Sequence, residues 1–273
     1  MDGLGIIAGS GVLPKLLAEN CKAQGCKYIV VRFQGMELEW SAGHPVLEAT
    51  FEKPGKLFKQ LRKAGVQTIT MGGAMVRPRL NPLRLDATGL RLAPVIMKAM
   101  KAGDGSTLGI VAALFEAESF RVIGVHEALP SLLAKQGIPT KRQPSEEDRQ
   151  DAARADVIIQ ALGAVDVGQG AVVAQGICLG LESIQGTDAM LRFVAQNAVR
   201  LPDKNGSKGV LVKQPKPGQD MRLDMPAIGP DTFSAACKAG LSGVVVRAGT
   251  TLVLGQDETV ARADELGLFL WVI

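Results

Sequence analysis

Apolar runs and helical periodicities alternate along the first half of the chain. LGIIAG at residues 4–9 is a continuous apolar run, the pattern of a strand buried on both faces. After Ser10-Gly11, Leu13, Leu16, Leu17 and Asn20 recur at helical spacing toward Gly25, and KYIVVRF (27–33) is a second strand. Strand, glycine turn, helix and strand within about 30 residues make the βαβ unit of a parallel sheet. Residues 56–64 predict a helix and QTITMGG (67–73) a third strand ending in paired glycines. Helices are expected over 90–101 and 107–117, separated by Gly103-Asp104-Gly105. FRVIGV (120–125) predicts a further strand, with His126-Glu127 at its end.

From Gly137 the chain turns polar, with prolines and charges of both signs, as expected of a linker over 137–150 between domains at 1–136 and 151–273. Ser145 with Asp148 predicts an N-cap and a helix to about Arg154. DVIIQAL (156–162), AVVAQG (171–176) and ICLGLES (177–183) read as strands, the last two joined by a tight turn at Gln175-Gly176. QGTDAMLRFVAQNAVRL follows as a helix, with Gly186 before it, an N-cap at Thr187, Asp188 in its first turn and apolar positions 190, 191, 194 and 198. Residues 208–213 predict a short strand with Val210 and Val212 on one face, Leu211 and Lys213 on the other. GVVVRAG, TLVL and FLWVI are later strands, and DETVARADELG a helix. The fold class is therefore α/β: a Rossmann-like, parallel-sheet N-terminal domain and a second, mixed α/β domain.

Composition narrows the function classes. Aromatic residues are only 4% of the 273, which disfavours a platform for stacking bases. The net charge of +4 comes without a long basic block, so no nucleic-acid partner is expected. Cys21, Cys26, Cys178 and Cys237 form no CxxC pair and read as apolar fillers in a reducing compartment. No signal peptide and no long charge-free apolar run appear, so the expected location is cytoplasmic.

Candidate chemistry concentrates in KGVLVKQPKPGQDMRLDMPAIGPDTF (208–233). Pro215, Pro217, Gly218, Pro226, Gly229 and Pro230 forbid regular structure there and stiffen the backbone. On it sit Lys213, Lys216, Asp220, Arg222 and Asp224, cations and carboxylates of the kind that clamp a phosphate and bind metal or activate water. A solvated loop with offsetting charges is the plain alternative. Two glycine-rich segments, Gly9-Ser10-Gly11 and Gly72-Gly73-Ala74, fall at strand ends, where free backbone N–H groups facing a helix N-terminus favour an anion. The loop reads GSGVLP with Pro14 and no acidic residue closes the second strand, so the dinucleotide fingerprint is not met. Arg32 could face a 2′-phosphate, which leaves an NADP-dependent oxidoreductase as a remote alternative. Arg77, Arg79 and Arg84 offer further cations, or a solvated loop.

AGSGVLP, GVHEALP, GQGAVVAQG, GLESIQGTDAML, GVLVKQPKPGQDMRLDMPAIGPDT, GVVVRAGTTLVL and ADELGLFL, in this order, resemble the LpxI-type UDP-2,3-diacylglucosamine pyrophosphatases of Gram-negative bacteria. The resemblance implies a Rossmann-like domain, a second α/β domain and substrate held between them. It implies magnesium-dependent hydrolysis of UDP-2,3-diacylglucosamine to 2,3-diacylglucosamine 1-phosphate (lipid X) and UMP, a step of lipid A synthesis. Asp224 falls on the acid of a D-x-P-x-I-G-P motif and is implied as the catalytic or metal-associated carboxylate. Lys213 falls on the lysine of VLVK, and Asp188 on the aspartate of an EGTD-like motif. Gln185 stands where an acid is usual, so Glu182 is the nearby carboxylate, and Arg247 stands where Glu is common. Candidate catalytic residues are thus Asp224, Lys213 and Asp188, and candidate metal ligands Asp224, Asp188 and Glu182. Candidate substrate-binding residues are Gly9, Ser10, Gly11, Gly72, Gly73, Ala74, Gln175, Gly176, Glu182, Gly186, Thr187, Arg222 and Gly229.

Elimination agrees with that expectation. The chain has no Glu-rich Nudix helix, only two histidines for a two-metal phosphoesterase, and no GxxxxGK[ST] loop. Hard oxygen ligands and Mg2+ remain, with in-line attack of water on phosphorus while Mg2+ and Lys213 neutralise charge. The partner is then a nucleotide-lipid, whose acyl chains the helices at 90–100 and 129–133 could line, with peripheral contact to the inner face of the inner membrane. Nothing fixes an oligomeric state. A non-catalytic sensor of nucleotide sugars or lipids is the alternative.

Overall fold

A computed structural model describes residues 3–75, 80–101, 104–197 and 201–273. Arg77, Arg79, Gly103 and Ala198 lie outside the described residues. By its internal contacts the chain divides into two units: Met1–Pro130 with Arg222–Asp224, and Ser131–Met221 with Met225–Ile273.

Unit 1 follows the expected alternation. In chain order it holds β1 (Gly3–Ala8), α1 (Leu13–Ala23), β2 (Tyr28–Phe33), β3 (Val46–Ala49), α2 (Pro54–Lys63) and β4 (Val66–Gly72). After these come α3 (Ala87–Lys101), α4 (Asp104–Ala117), β5 (Arg121–Ile123) and α5 (Val125–Ala128). The strands form one parallel sheet of order β3-β2-β1-β4-β5. β1 is paired on both sides, which is why its run is apolar throughout. The edge strand β3 was not expected, because VLEA is short and carries a charge that an edge tolerates. FRVIGV stops as a strand at Ile123: Glu127 Oε1 accepts the Gly124 amide at 2.9 Å and starts α5. Residues 129–133 hold only a short 3-10 turn, not an amphipathic helix. Aromatics are few but pooled here: Phe58, Phe115 and Phe120 pack edge-on or tilted, and Phe33 stacks on Phe51 at 4.0 Å.

Unit 2 begins with α6 (Glu146–Gly163) and continues through β6 (Gly170–Ala174), β7 (Ile177–Leu181), α7 (Thr187–Gln196), β8 (Val210–Lys213) and β9 (Ala227–Ile228). It ends with α8 (Pro230–Lys238), β10 (Gly243–Val246), β11 (Leu252–Val253), α9 (Gln256–Glu265) and β12 (Phe269–Val272). Its main sheet has the order β12-β10-β8-β6-β7, with β12, β10 and β8 parallel and β6 antiparallel to both neighbours. Val210 and Val212 pack with α6 on one face, and Leu211 with α7 and α8 on the other.

Two sequence expectations are corrected in this unit. DVIIQAL is the second half of α6, not a strand: Ala152, Ala155, Ile159 and Gly163 are buried at helical spacing while Val157 is 57% exposed. The capping box of Ser145 and Asp148 starts that helix, and nothing before Gly163 stops it. Thr187 is not the N-cap of α7; Gly186 is, at φ 82°, a left-handed conformation that suits glycine. Residues 137–150 are bonded to the last strand and helix of the unit. Gly137 exchanges both backbone bonds with Val272, Thr140 Oγ1 accepts the Leu270 amide, and Asp264 accepts the Lys141 amide.

Candidate active site

A buried polar cluster of unit 2 lies where β6, β7 and β8 meet. Lys213 is the last residue of β8 and pairs across the ladder with Gly170, the first of β6. Glu182 follows β7, its amide donating to the Gly170 carbonyl at 2.9 Å. Thr187, the first residue of α7, joins them: its hydroxyl donates to Glu182 Oε2 at 2.8 Å and accepts from Lys213 Nζ at 2.6 Å. Lys213 Nζ and Glu182 Oε2 are 3.9 Å apart. Glu182 is 6% exposed and Lys213 8%.

This is an ammonium taken almost out of water with one hydrogen bond among the described residues. An ammonium carries three donors, so two N–H groups remain for a ligand oxygen. The Lys213 charge is met by Glu182 at 3.9 Å, an ion pair beyond hydrogen-bond reach, so a ligand oxygen could complete its hydrogen bonding. Gly170 makes room for the carboxylate and Gly168 for the Glu182 backbone carbonyl, since a Cβ at either position would overlap them. Sequence reasoning quoted the GQG motif without seeing this role, which needs the fold of β7 back onto β6. Asp188, beside Thr187, is exposed in the first turn of α7.

The glycine loops of unit 1 are adjacent, because β1 and β4 are neighbours. They close on each other. Ser10 N donates to Ala74 O at 2.8 Å, Ala74 N to Ser10 O at 3.2 Å, and Gly9 N to Gly72 O at 2.7 Å. A Cβ on Gly9 would sit 2.6 Å from Gly73 and Ala74 backbone atoms. The expectation of free amides at Gly9 and Ser10 is therefore corrected: they are spent on backbone, and the open amides are those of Gly11, Val12 and Leu13 at the start of α1. Arg32 is paired with Glu48 of β3, with Nε donating at 2.7 Å, so its charge is answered within the sheet.

Arg222, Leu223 and Asp224 belong to unit 1 by contacts. Arg222 donates to Glu116 of α4 at 2.8 Å, Leu223 packs on the phenylalanine-rich core, and Asp224 is half-buried. Close by, a Cβ on Gly124 would meet both His126 and the Arg222 backbone. His126 Nδ1 is sealed and has no partner among the described residues.

The structure does not bring Gln175, Gly176 or Gly229 to the Lys213 cluster. Gln175 and Gly176, at φ 49° and 75°, turn the hairpin at the opposite end of β6 from Gly170. Asp151 of α6 accepts both their amides, at 2.9 and 2.7 Å. Gly229 caps α8, its amide donating to Thr232 Oγ1 at 3.2 Å.

No group of three or more His, Cys, Asp or Glu among the described residues could hold a metal. Glu182 is already engaged by Thr187 and Lys213. Such a donor set does not make a protein cage.

A parallel-sheet unit with closed glycine loops and a mixed-sheet unit carrying a buried lysine define a two-unit α/β protein. Family models agree over nearly the whole chain: the LpxI N-terminal domain matches residues 3–132 and the LpxI C-terminal domain residues 135–271. The chain belongs to the LpxI family. UDP-2,3-diacylglucosamine pyrophosphatase LpxI of Caulobacter vibrioides is 38% identical over 271 residues, 99% of this chain and 97% of that protein. Among solved structures, the CobK precorrin-6A reductase aligns over 100% of this chain and 88% of its own at 12% identity and a TM-score of 0.36. So loose a likeness carries no argument.

Proposed function

We propose that the protein hydrolyses the pyrophosphate of UDP-2,3-diacylglucosamine to 2,3-diacylglucosamine 1-phosphate and UMP. Its 38%-identical relative, matched over 97% of that protein's length, carries that activity in its name. The observation within this chain that supports it is the buried Lys213 ammonium with one hydrogen bond. In this reading Lys213 binds a diphosphate oxygen and holds its positive charge there as negative charge builds in the transition state. Thr187 and Glu182 fix where that ammonium points. Asp224 takes a proton from the attacking water or helps hold Mg2+, and Asp188 is the second candidate ligand. Mg2+, when bound, neutralises charge on the diphosphate oxygens. Both units then engage one substrate molecule.

A lipid substrate gives a use to apolar surface on unit 1. α3 exposes Leu90 (60%) and Met97 (58%), and Leu83 just before it is 96% exposed. We assign this stripe to acyl chains or to peripheral contact with the membrane carrying them. No described helix is long and apolar enough to cross a membrane.

Purified protein incubated with UDP-2,3-diacylglucosamine and Mg2+ should release UMP, and chelation should abolish release. Asp224→Ala and Lys213→Met should each cut turnover at least about a hundredfold. Wild-type rates in Asp224→Ala remove that residue from the mechanism. Ligand-induced thermal stabilisation without UMP release would support the sensor reading.

A further inference from the structure

The residue after Lys213 turns to the opposite face of the sheet. Gln214 is 4% exposed. Its amide donates to the Gln169 carbonyl at 3.0 Å, extending the β6–β8 ladder one step past the pair of Gly170 and Lys213. Its side-chain Oε1 accepts twice from Arg247, from Nη2 at 3.0 Å and Nε at 3.3 Å. Arg247 follows β10, and its Nη2 also donates to Asp156 of α6 at 3.1 Å.

A guanidinium has donors and no acceptor. The Gln214 amide can therefore face Arg247 only through its oxygen, which settles the usual ambiguity between amide O and N. The Nε2 group must point away. No described residue accepts from it, yet it is not among the sealed partnerless atoms, which are Thr70 Oγ1, His126 Nδ1 and Thr251 Oγ1. It opens to solvent from a side chain otherwise buried. Arg247 Nη1 likewise donates to no described residue. Both groups stand just past the carboxyl ends of the parallel strands β8 and β10, the edge at which α/β sheets receive ligands.

From this geometry we infer that Gln214 is a ligand-binding donor, held in one orientation by Arg247 as a positioning residue. The matching ligand group is an oxygen that only accepts hydrogen bonds, either a phosphoryl oxygen or a nucleobase carbonyl. The proposed function enters only in the choice of a uridine nucleotide as probe.

The test uses full-length protein titrated calorimetrically with UMP, uridine and inorganic phosphate. Gln214→Glu keeps the shape and pairs with Arg247, but turns a carboxylate oxygen outward in place of N–H. Binding of UMP should weaken about tenfold or more. Parallel weakening of phosphate binding identifies the phosphoryl oxygen, and parallel weakening of uridine binding the base carbonyl. Arg247→Met lets the amide rotate and should weaken UMP about threefold. As a readout that folding does not mimic, the Gln214 side-chain amide resonances of labelled wild-type protein should move on adding UMP. Unchanged UMP binding in Gln214→Glu, unmoved resonances, or no binding of any probe by wild type overturns the inference. If wild type releases no UMP from the nucleotide-lipid while Gln214→Glu still weakens UMP binding, the hydrolase reading fails and this one stands.

Discussion

Thr187 shows how much one hydroxyl can carry. It accepts from Lys213 and donates to Glu182, so it hands one proton's orientation from a cation to a carboxylate. Thr187→Val should lower kcat about 10- to 100-fold by releasing the ammonium, while Thr187→Ser should retain most of it. Steady-state assays of the two variants separate the hydroxyl from the side chain's volume. Thr187 and Lys213 were legible as candidates from the sequence, but not their contact, since 26 positions separate them. Thr187 was also legible for the wrong reason, as a cap. Cys21 illustrates a different residue-scale effect: burial first, and the neighbouring Cys26 second, push its thiol up from 9.0 to about 11. The unfolded chain ionises there before the folded one, so stability should hold below about pH 9 and fall as pH rises toward 11. Urea midpoints measured across that window, with Cys21→Ala as control, check it.

At the scale of elements, local signals were read well where they were self-contained. The hairpin at Gln175-Gly176 and the glycine turn before α1 each depend on a few adjacent residues. DVIIQAL failed because a short β-branched run satisfies both periods, and the buried partner that decides between them is the sheet under α6. The hairpin's amides are held from a neighbouring helix: Asp151, 2% exposed, accepts both. Asp151→Asn would oppose an N–H donor to a backbone N–H donor there. The expected loss is roughly 1–3 kcal/mol of unfolding free energy, read as a lower urea midpoint.

For the whole molecule, position along the chain does not give the allegiance of every segment. Polar residues 137–150 are stitched to β12 and α9. Conversely, Arg222–Asp224 lie deep in the second half by number and belong to unit 1. Leu223→Ala should destabilise that unit by about 1–3 kcal/mol through lost packing on its phenylalanine core. Hydrogen exchange of the β1 and β4 amides should report the loss, leaving those of β8 and β10 protected.

The placement of Leu223 also sets a timetable. A ribosome that has delivered residues 1–130 has made all the strands of the first sheet, but not the leucine that finishes packing them. That side chain emerges only when 223 of 273 positions have been translated. A nascent chain stalled before then, or a gene cut short there, leaves the leading unit one hydrophobic plug short, exposed to proteases and to its unfinished neighbours on the same polysome.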